Sequence, residues 1–247
     1  MRHPAEREQL LTIIADLLRF QLLDPAGGAV SLRLSTGDIL MSTTGSAFRR
    51  WNITPDDFIL LTPDGAIIER TGGLGASGTP IHLAIYQTFP GCNAIIHAHA
   101  PYSLAFASAG LDLPSCTNQA DTLGHIPCLF ADETAIKADY QANPIPIDLP
   151  EGTVQRPDVA AVNLLHLIPQ LRQRLAPRAA ELSRHGLAFL VHRHGAFAFA
   201  RHPDEAFDNL HRVEATARTA IYRAALDTSA PPAANRIEPA TQSAISA

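Results

Sequence analysis

The chain has no apolar run approaching the roughly 18 residues that a membrane-spanning helix requires. Cysteine is scarce, with Cys92, Cys116 and Cys128 an odd number and none forming a C-x-x-C pair. That spacing offers no disulfide framework and no thiolate zinc site, and leaves the three as small apolar side chains. Basic residues form no long run. With 19 Lys and Arg against 24 Asp and Glu, the net charge of −5 lacks the footprint of a protein that binds nucleic acid. The opening residues Met1 to Arg7 lack the apolar segment of a secretory signal. These absences predict a cytoplasmic protein with no membrane and no nucleic-acid partner, and turn attention to small molecules.

What is present is a hydrophobic content of 46% in 247 residues, enough for one sizeable core. Leu10, Leu11, Ile13, Ile14, Leu17, Leu18 and Leu22 recur at helical spacing over residues 5 to 22, and Asp24-Pro25-Ala26-Gly27-Gly28 breaks that helix. Short strands are predicted at 29–34, 38–42, 57–62 and 66–69, with turns at Thr36-Gly37-Asp38 and Thr62-Pro63-Asp64-Gly65. Thr79 is expected to cap a helix that opens at Pro80 and ends before Pro90-Gly91. Further helices are predicted over 101–109, over 157–175 after the Pro/Gly-rich loop 144–152, and from Pro203 to about Leu226. Strands are predicted at 126–130 and around Leu187 to Val191. The expected organisation is one α/β domain over residues 5–227, with 228–247, rich in Pro, Ala, Ser and Thr, as a mobile tail.

The most informative pattern is His97-Ala98-His99 at the end of the apolar run Ala94-Ile95-Ile96. Residues two apart in a strand point to one face, so both imidazoles present themselves in the same direction. A third candidate, His194, lies in His192-Arg193-His194-Gly195, after Leu187 to Val191. Three imidazoles leave a coordination position open, the pattern of a catalytic metal. With eleven histidines in the chain, spacing alone leaves a hydrogen-bonded core pair equally open. His192, read on the same strand face as His194, competes for the third place.

Beyond these histidines, Gly28-Ala29-Val30-Ser31, Thr43-Thr44-Gly45, Ser77-Gly78-Thr79-Pro80-Ile81-His82 and His194-Gly195 follow in an order that resembles the class II aldolase/adducin family. The resemblance covers about residues 5 to 225. Ala109 to Pro114, Ala120-Asp121 and Ile126-Pro127-Cys128 look most like the epimerase branch. It implies a three-layer α/β/α fold with a central, mostly antiparallel sheet, and a homotetramer with sites near subunit boundaries. It implies His97, His99 and His194 as ligands of a divalent ion, Zn²⁺ first, with Mn²⁺, Co²⁺ or Fe²⁺ as alternatives. Thr44, Gly45, Ser77 and Gly78 are implied to bind substrate, and Asp121 to act in catalysis from a neighbouring subunit. Without the resemblance, Asp121 reads as a loop or cap residue. His82 matches a family histidine but reads as a hydrogen-bonding support.

The implied function is a metal-dependent lyase acting on a small oxygenated metabolite, by aldol cleavage or decarboxylation through a metal-stabilised enediolate. Departures from the family pattern qualify this. Gly78 stands where the resemblance expects a carboxylate, whose loss removes a proton-transfer group worth about 10²–10⁴-fold in rate. Ala29 and Ala76 replace an Asn and a Ser of the phosphate cradle, each hydrogen bond to a charged group contributing about 1.5–3 kcal/mol. Arg33, Arg49 and Arg50 are candidates to supply positive charge in place of the lost hydrogen-bond donors, or are solvated arginines. Gly72, Gly73, Gly75 and Gly78 form a permissive loop. The C-terminal tyrosine of the epimerases has no counterpart after Tyr222, which argues against epimerisation. Trp51, Tyr86 and Tyr222 read as packing residues, and Phe207, Leu210, Val213 and Ala217 as a core or subunit-contact stripe. A scaffold protein that keeps the metal without turnover is the alternative; the retained histidine triad argues for an enzyme.

Overall fold

Strand alternation organises the whole molecule, because each strand sends successive side chains to opposite faces and both faces are apolar. A computed structural model of the protein describes residues 1–25, 27–43, 49–70, 78–130, 134 and 166–229. Among these, strands β1 (Ala29–Arg33), β2 (Ile39–Ser42), β3 (Phe58–Leu61), β4 (Ile67–Glu69), β5 (Ala94–Ala98), β6 (Cys128–Leu129), β7 (Leu187–Val191) and β8 (Gly195–Ala200) form one sheet. Its order is β4-β3-β2-β1-β5-β8-β7-β6. Every neighbouring pair is antiparallel except β6 with β7.

Helices cover both faces, as expected for a three-layer α/β/α fold. On one face Val30, Leu32, Leu40, Ile96, Ala196, Ala198 and Ala200 pack with α1 (Pro4–Arg19), α3 (Pro101–Ser108) and α6 (Pro203–Ser229). On the other, Ile39, Met41, Ile59, Ile95, Phe189, Phe197 and Phe199 pack with α2 (Thr79–Thr88) and α5 (Ile168–Leu175). The division within β8 is physical: three alanines let α6 lie close on one side, while two phenylalanines fill the space on the other. The short helix α4 (Asn118–Asp121) completes the described α-helices.

Most predicted elements appear within a residue or two of their expected limits, and several details differ. Gly78, not Thr79, occupies the N-cap of α2. The 126–130 strand shrinks to Cys128–Leu129, because it is an edge strand that pairs on one side only. His192 and His194 are not on a strand; they lie in the turn between β7 and β8, with Arg193 at φ 56°. Of the 157–175 helix, residues 168–175 are observed, and 157–165 lie outside the described residues, as do the 144–152 loop and the tail from 230 onward. The final helix runs on to Ser229. Cys92 and Cys128 are buried and Cys116 partly so, all as free thiols. Burial pushes the Cys92 thiol up to about 12, where it stays protonated and unreactive. Tyr222 is exposed rather than packed, its hydroxyl 3.1 Å from that of Tyr102.

Candidate metal centre

The sheet brings His97, His99 and His194 to one point. β5 carries His97 opposite Ala29 of β1 and Phe197 of β8 in register, so the imidazole leaves the face that holds Ile95 and Phe197. Phe197 stacks against it at 4.2 Å between ring centroids. His99 follows just beyond the strand end, and the β7–β8 turn delivers His194 from the other side. One nitrogen from each of the three lies within 4.8 Å of the others. His97 and His194 are stacked, while His99 stands edge-on to both.

Hydrogen bonding decides which nitrogen His97 offers. His97 Nδ1 lies 3.0 Å from the carbonyl oxygen of Ala196; a carbonyl only accepts, so Nδ1 carries the proton and Nε2 keeps its lone pair. His99 Nδ1 lies 3.4 Å from Asp24 Oδ1, and its Nε2 is buried without a hydrogen-bond partner. An orphaned buried imidazole nitrogen is costly unless a ligand completes it. Burial holds all three imidazoles below their ordinary range. For His97 the neighbouring His194 and His99 add to that shift; for His99 the Asp24 carboxylate opposes it; for His194 the pKa falls to about 4. All three are therefore neutral at pH 7, the state that coordinates a metal.

Two glycines make room for His99. A Cβ on Gly27 would sit 2.5 Å from His99 Cε1. One on Gly195 would sit 2.5 Å from the Ala98 carbonyl oxygen and 2.9 Å from His99 Cδ2, at φ +154° where side chains are strained. The ring is thus held between two stretches of bare backbone. The preceding turn is itself pinned: the Gly27 N–H donates to Asp24 Oδ1 at 3.1 Å, and the indole N–H of buried Trp51 donates to the Asp24 carbonyl at 2.9 Å.

His82 is hydrogen-bonded through Nδ1, while its Nε2, like that of His99, is buried without a partner. It is fully buried on α2, with Nδ1 2.7 Å from Ser31 Oγ, which is in turn 2.8 Å from the Tyr86 hydroxyl. Desolvation pushes its pKa down to about 3. Gly78 lies beside it: a Cβ there would meet His82 at 3.7 Å and Ala29 at 3.9 Å, ordinary contacts, and its φ of −77° suits any residue. The backbone does not demand glycine at this position.

Other candidates are placed elsewhere. Thr44, Gly45, Ser77, Gly72, Gly73, Gly75 and Ala76 lie outside the described residues. His192 does not join the cluster; its ring stacks on Phe130 at 4.0 Å. Arg33 is neither an anion ligand nor a solvated arginine, because its guanidinium donates to the carbonyls of Tyr86, Phe89, Pro90 and Cys92 and lies over the Tyr86 ring. Arg49 pairs with Asp57. Asp121, exposed at the end of α4, accepts from Ser115 Oγ and lines a cleft of about 650 Å³ with His125, Arg174, Arg178, Glu181 and Arg184. Asp121 is not part of the three-histidine group, and none of those histidines lines its cleft.

What fold and site define is an α/β protein whose central, mostly antiparallel sheet converges three neutral histidines at the ends of its middle strands. The model of the class II aldolase and adducin N-terminal domain matches residues 8–221, and the chain belongs to that family. It is 27% identical over 218 residues to an L-ribulose-5-phosphate 4-epimerase, UlaF, of Salmonella paratyphi C, covering 87% of this chain and 83% of the relative. Among solved structures, YgbL of Escherichia coli, described as a putative aldolase/epimerase/decarboxylase, superposes with a TM-score of 0.62 at 21% identity over 89% of each chain. The L-fuculose-1-phosphate aldolase of Thermus thermophilus gives the same score and identity over 89% of this chain and 94% of its own. At these identities the solved structures speak for the fold. Among the described residues, no helix is long and apolar enough to cross a membrane.

Proposed function

We propose that the protein is a divalent-metal-dependent carbon–carbon lyase, of aldolase or decarboxylase type, acting on a small oxygenated metabolite. The observation that carries this reading is the convergence of His97, His99 and His194, neutral and with the buried Nε2 of His99 lacking a partner. Imidazole donors suit Zn²⁺ first, with Mn²⁺, Co²⁺ or Fe²⁺ as alternatives. A divalent ion bound there supplies Lewis acidity to adjacent substrate oxygens, favouring reactions that build negative charge next to a carbonyl. The chain's own contribution is to hold three lone pairs in place and keep them unprotonated.

Proton handling separates the possible reactions. Gly78, at the position where the family resemblance expects a carboxylate, cannot move a proton, and decarboxylation needs no base to begin because loss of CO₂ itself leaves the electron pair. Thr44, Gly45, Ser77 and Gly78 are assigned to substrate binding by the resemblance. Asp121 is assigned to reprotonation from a neighbouring subunit of a homotetramer, which its exposure supports.

The test is a screen of hydroxy acids, ketose phosphates and aromatic carboxylates with the metal-loaded protein, followed by subunit mixing. Inactive His99→Ala protein mixed with inactive Asp121→Asn protein is expected to recover partial activity, because some mixed sites unite an intact triad with an intact aspartate. Metal without turnover of any substrate class would favour a scaffold role. A monomer by light scattering, or no recovery despite proven subunit exchange, would remove the shared site.

A further inference from the structure

A divalent ion held by three neutral imidazoles keeps its full charge, and a partly buried site penalises uncompensated charge. Among the described residues, the cluster able to hold an ion consists of the three histidines and no carboxylate. The outer nitrogens of two of them differ in what they face. His97 Nδ1 meets the neutral Ala196 carbonyl, whereas His99 Nδ1 meets the carboxylate of Asp24 at 3.4 Å. A negative charge, the Asp24 carboxylate, therefore stands behind His99 on the side of its outer nitrogen.

Asp24 is built into that place. Trp51 fixes its carbonyl, the Gly27 N–H fixes Oδ1, and the bare backbone of Gly27 forms the wall against which the His99 ring lies. The same turn that shapes the pocket for the ring thus carries the carboxylate that faces it. A proton on Nδ1 would face the Asp24 carboxylate and leave the buried, unpartnered Nε2 with its lone pair.

We propose that Asp24 is a positioning residue for the metal centre: it holds His99 in the Nδ1–H tautomer, directs Nε2 to the ion and supplies the negative charge that the donor set lacks. This rests on the reading that the three histidines hold an ion. A carboxylate placed behind a ligand histidine would balance the charge of an ion held by His97, His99 and His194 without itself taking a place among the ligands. Carboxylate partners of ligand histidines ordinarily contribute about 10- to 100-fold in metal affinity.

The experiment is competition of the full-length protein against a chromophoric chelator for Zn²⁺. Asp24→Asn keeps an oxygen to accept from the Gly27 N–H while removing the charge, and the melting temperature of the zinc-free variant checks that it folds. Its Zn²⁺ dissociation constant should rise about 10- to 100-fold. A dissociation constant within twofold of wild type, alongside loss of zinc in His99→Ala, would overturn the role of Asp24 and leave the triad standing; failure of wild type to bind Zn²⁺ would overturn the triad and with it the proposal. Should the variant fold poorly, nitrogen-15 shifts of the wild-type zinc-free protein decide independently. His99 is expected as the Nδ1–H tautomer, and an Nε2–H tautomer would refute the assignment.

Discussion

Two polar regions of this molecule make opposite use of charge. At the sheet edge near β6, Arg174 pairs with Asp112 and donates to the Cys128 carbonyl, while Arg178 pairs with Glu181 and donates to the carbonyls of Leu123 and His125. Those groups are partly exposed and satisfied by one another. At the middle of the sheet, three imidazoles are buried or nearly so, neutral, and close-packed, and His99 Nε2 has no partner at all. The first arrangement ties loops to helices at little risk, since water can replace any partner that is lost. The second is costly in isolation, and a ligand that completes it removes that cost; it is the convergence of three imidazoles, more than the orphan nitrogen itself, that points to function.

The contrast is most vulnerable in the backbone around His99. Gly195→Ala is expected to cost about 3 kcal/mol or more, because its Cβ meets the Ala98 carbonyl at 2.5 Å and a positive φ adds strain. Gly91→Ala, whose Cβ meets nothing within 4 Å, is the control and should be near neutral in urea denaturation. Equal midpoints for the two variants would mean that the ring is not held as tightly as the contacts indicate.

A pH dependence ranks next. His82 has its folded pKa depressed to about 3 against about 6.5 when unfolded, so the unfolded chain binds the extra proton first. Its stabilising contribution is complete above about 6.5 and is lost as pH falls through the window down to about 3, at no more than about 1.4 kcal/mol per pH unit. Chelator-treated protein should therefore lose urea stability between pH 6.5 and 4.5 with a steeper slope than His82→Gln. Parallel slopes would show that His82 is more hydrated than its burial implies.

Least is at stake on the sheet edge. Arg174→Ala removes a pair whose side chains are each about one third exposed, 35% and 31%, and should cost about 1 kcal/mol or less, with metal content untouched. A loss of metal in that variant would join two regions that the fold keeps apart.

How much of this was legible in the sequence follows from which forces act locally. The apolar runs Ile39 to Met41 and Phe58 to Leu61 mark strands because both sheet faces are buried, and proline and glycine punctuate the helices. His97-Ala98-His99 was readable because the strand period alone aligns the pair. His194 was found, but not its turn: an apolar run leading into His-Arg-His looks like continued strand until Arg193 adopts a positive φ. Asp24 was read only as part of a helix-breaking segment. The Asp24-Pro25-Ala26-Gly27 pattern signals a side-chain-capped turn, but nothing local announces that the turn folds against His99 from another strand. Arg33 misled for the same reason, since its carbonyl partners gather only in three dimensions.

Whether His97, His99 and His194 together hold one divalent ion is best decided by metal analysis of the purified protein beside its three single alanine variants. One equivalent of zinc or a similar divalent metal per chain is expected for the natural sequence, and a small fraction of that for each variant that remains folded. Unchanged metal content in folded His99→Ala protein would contradict it.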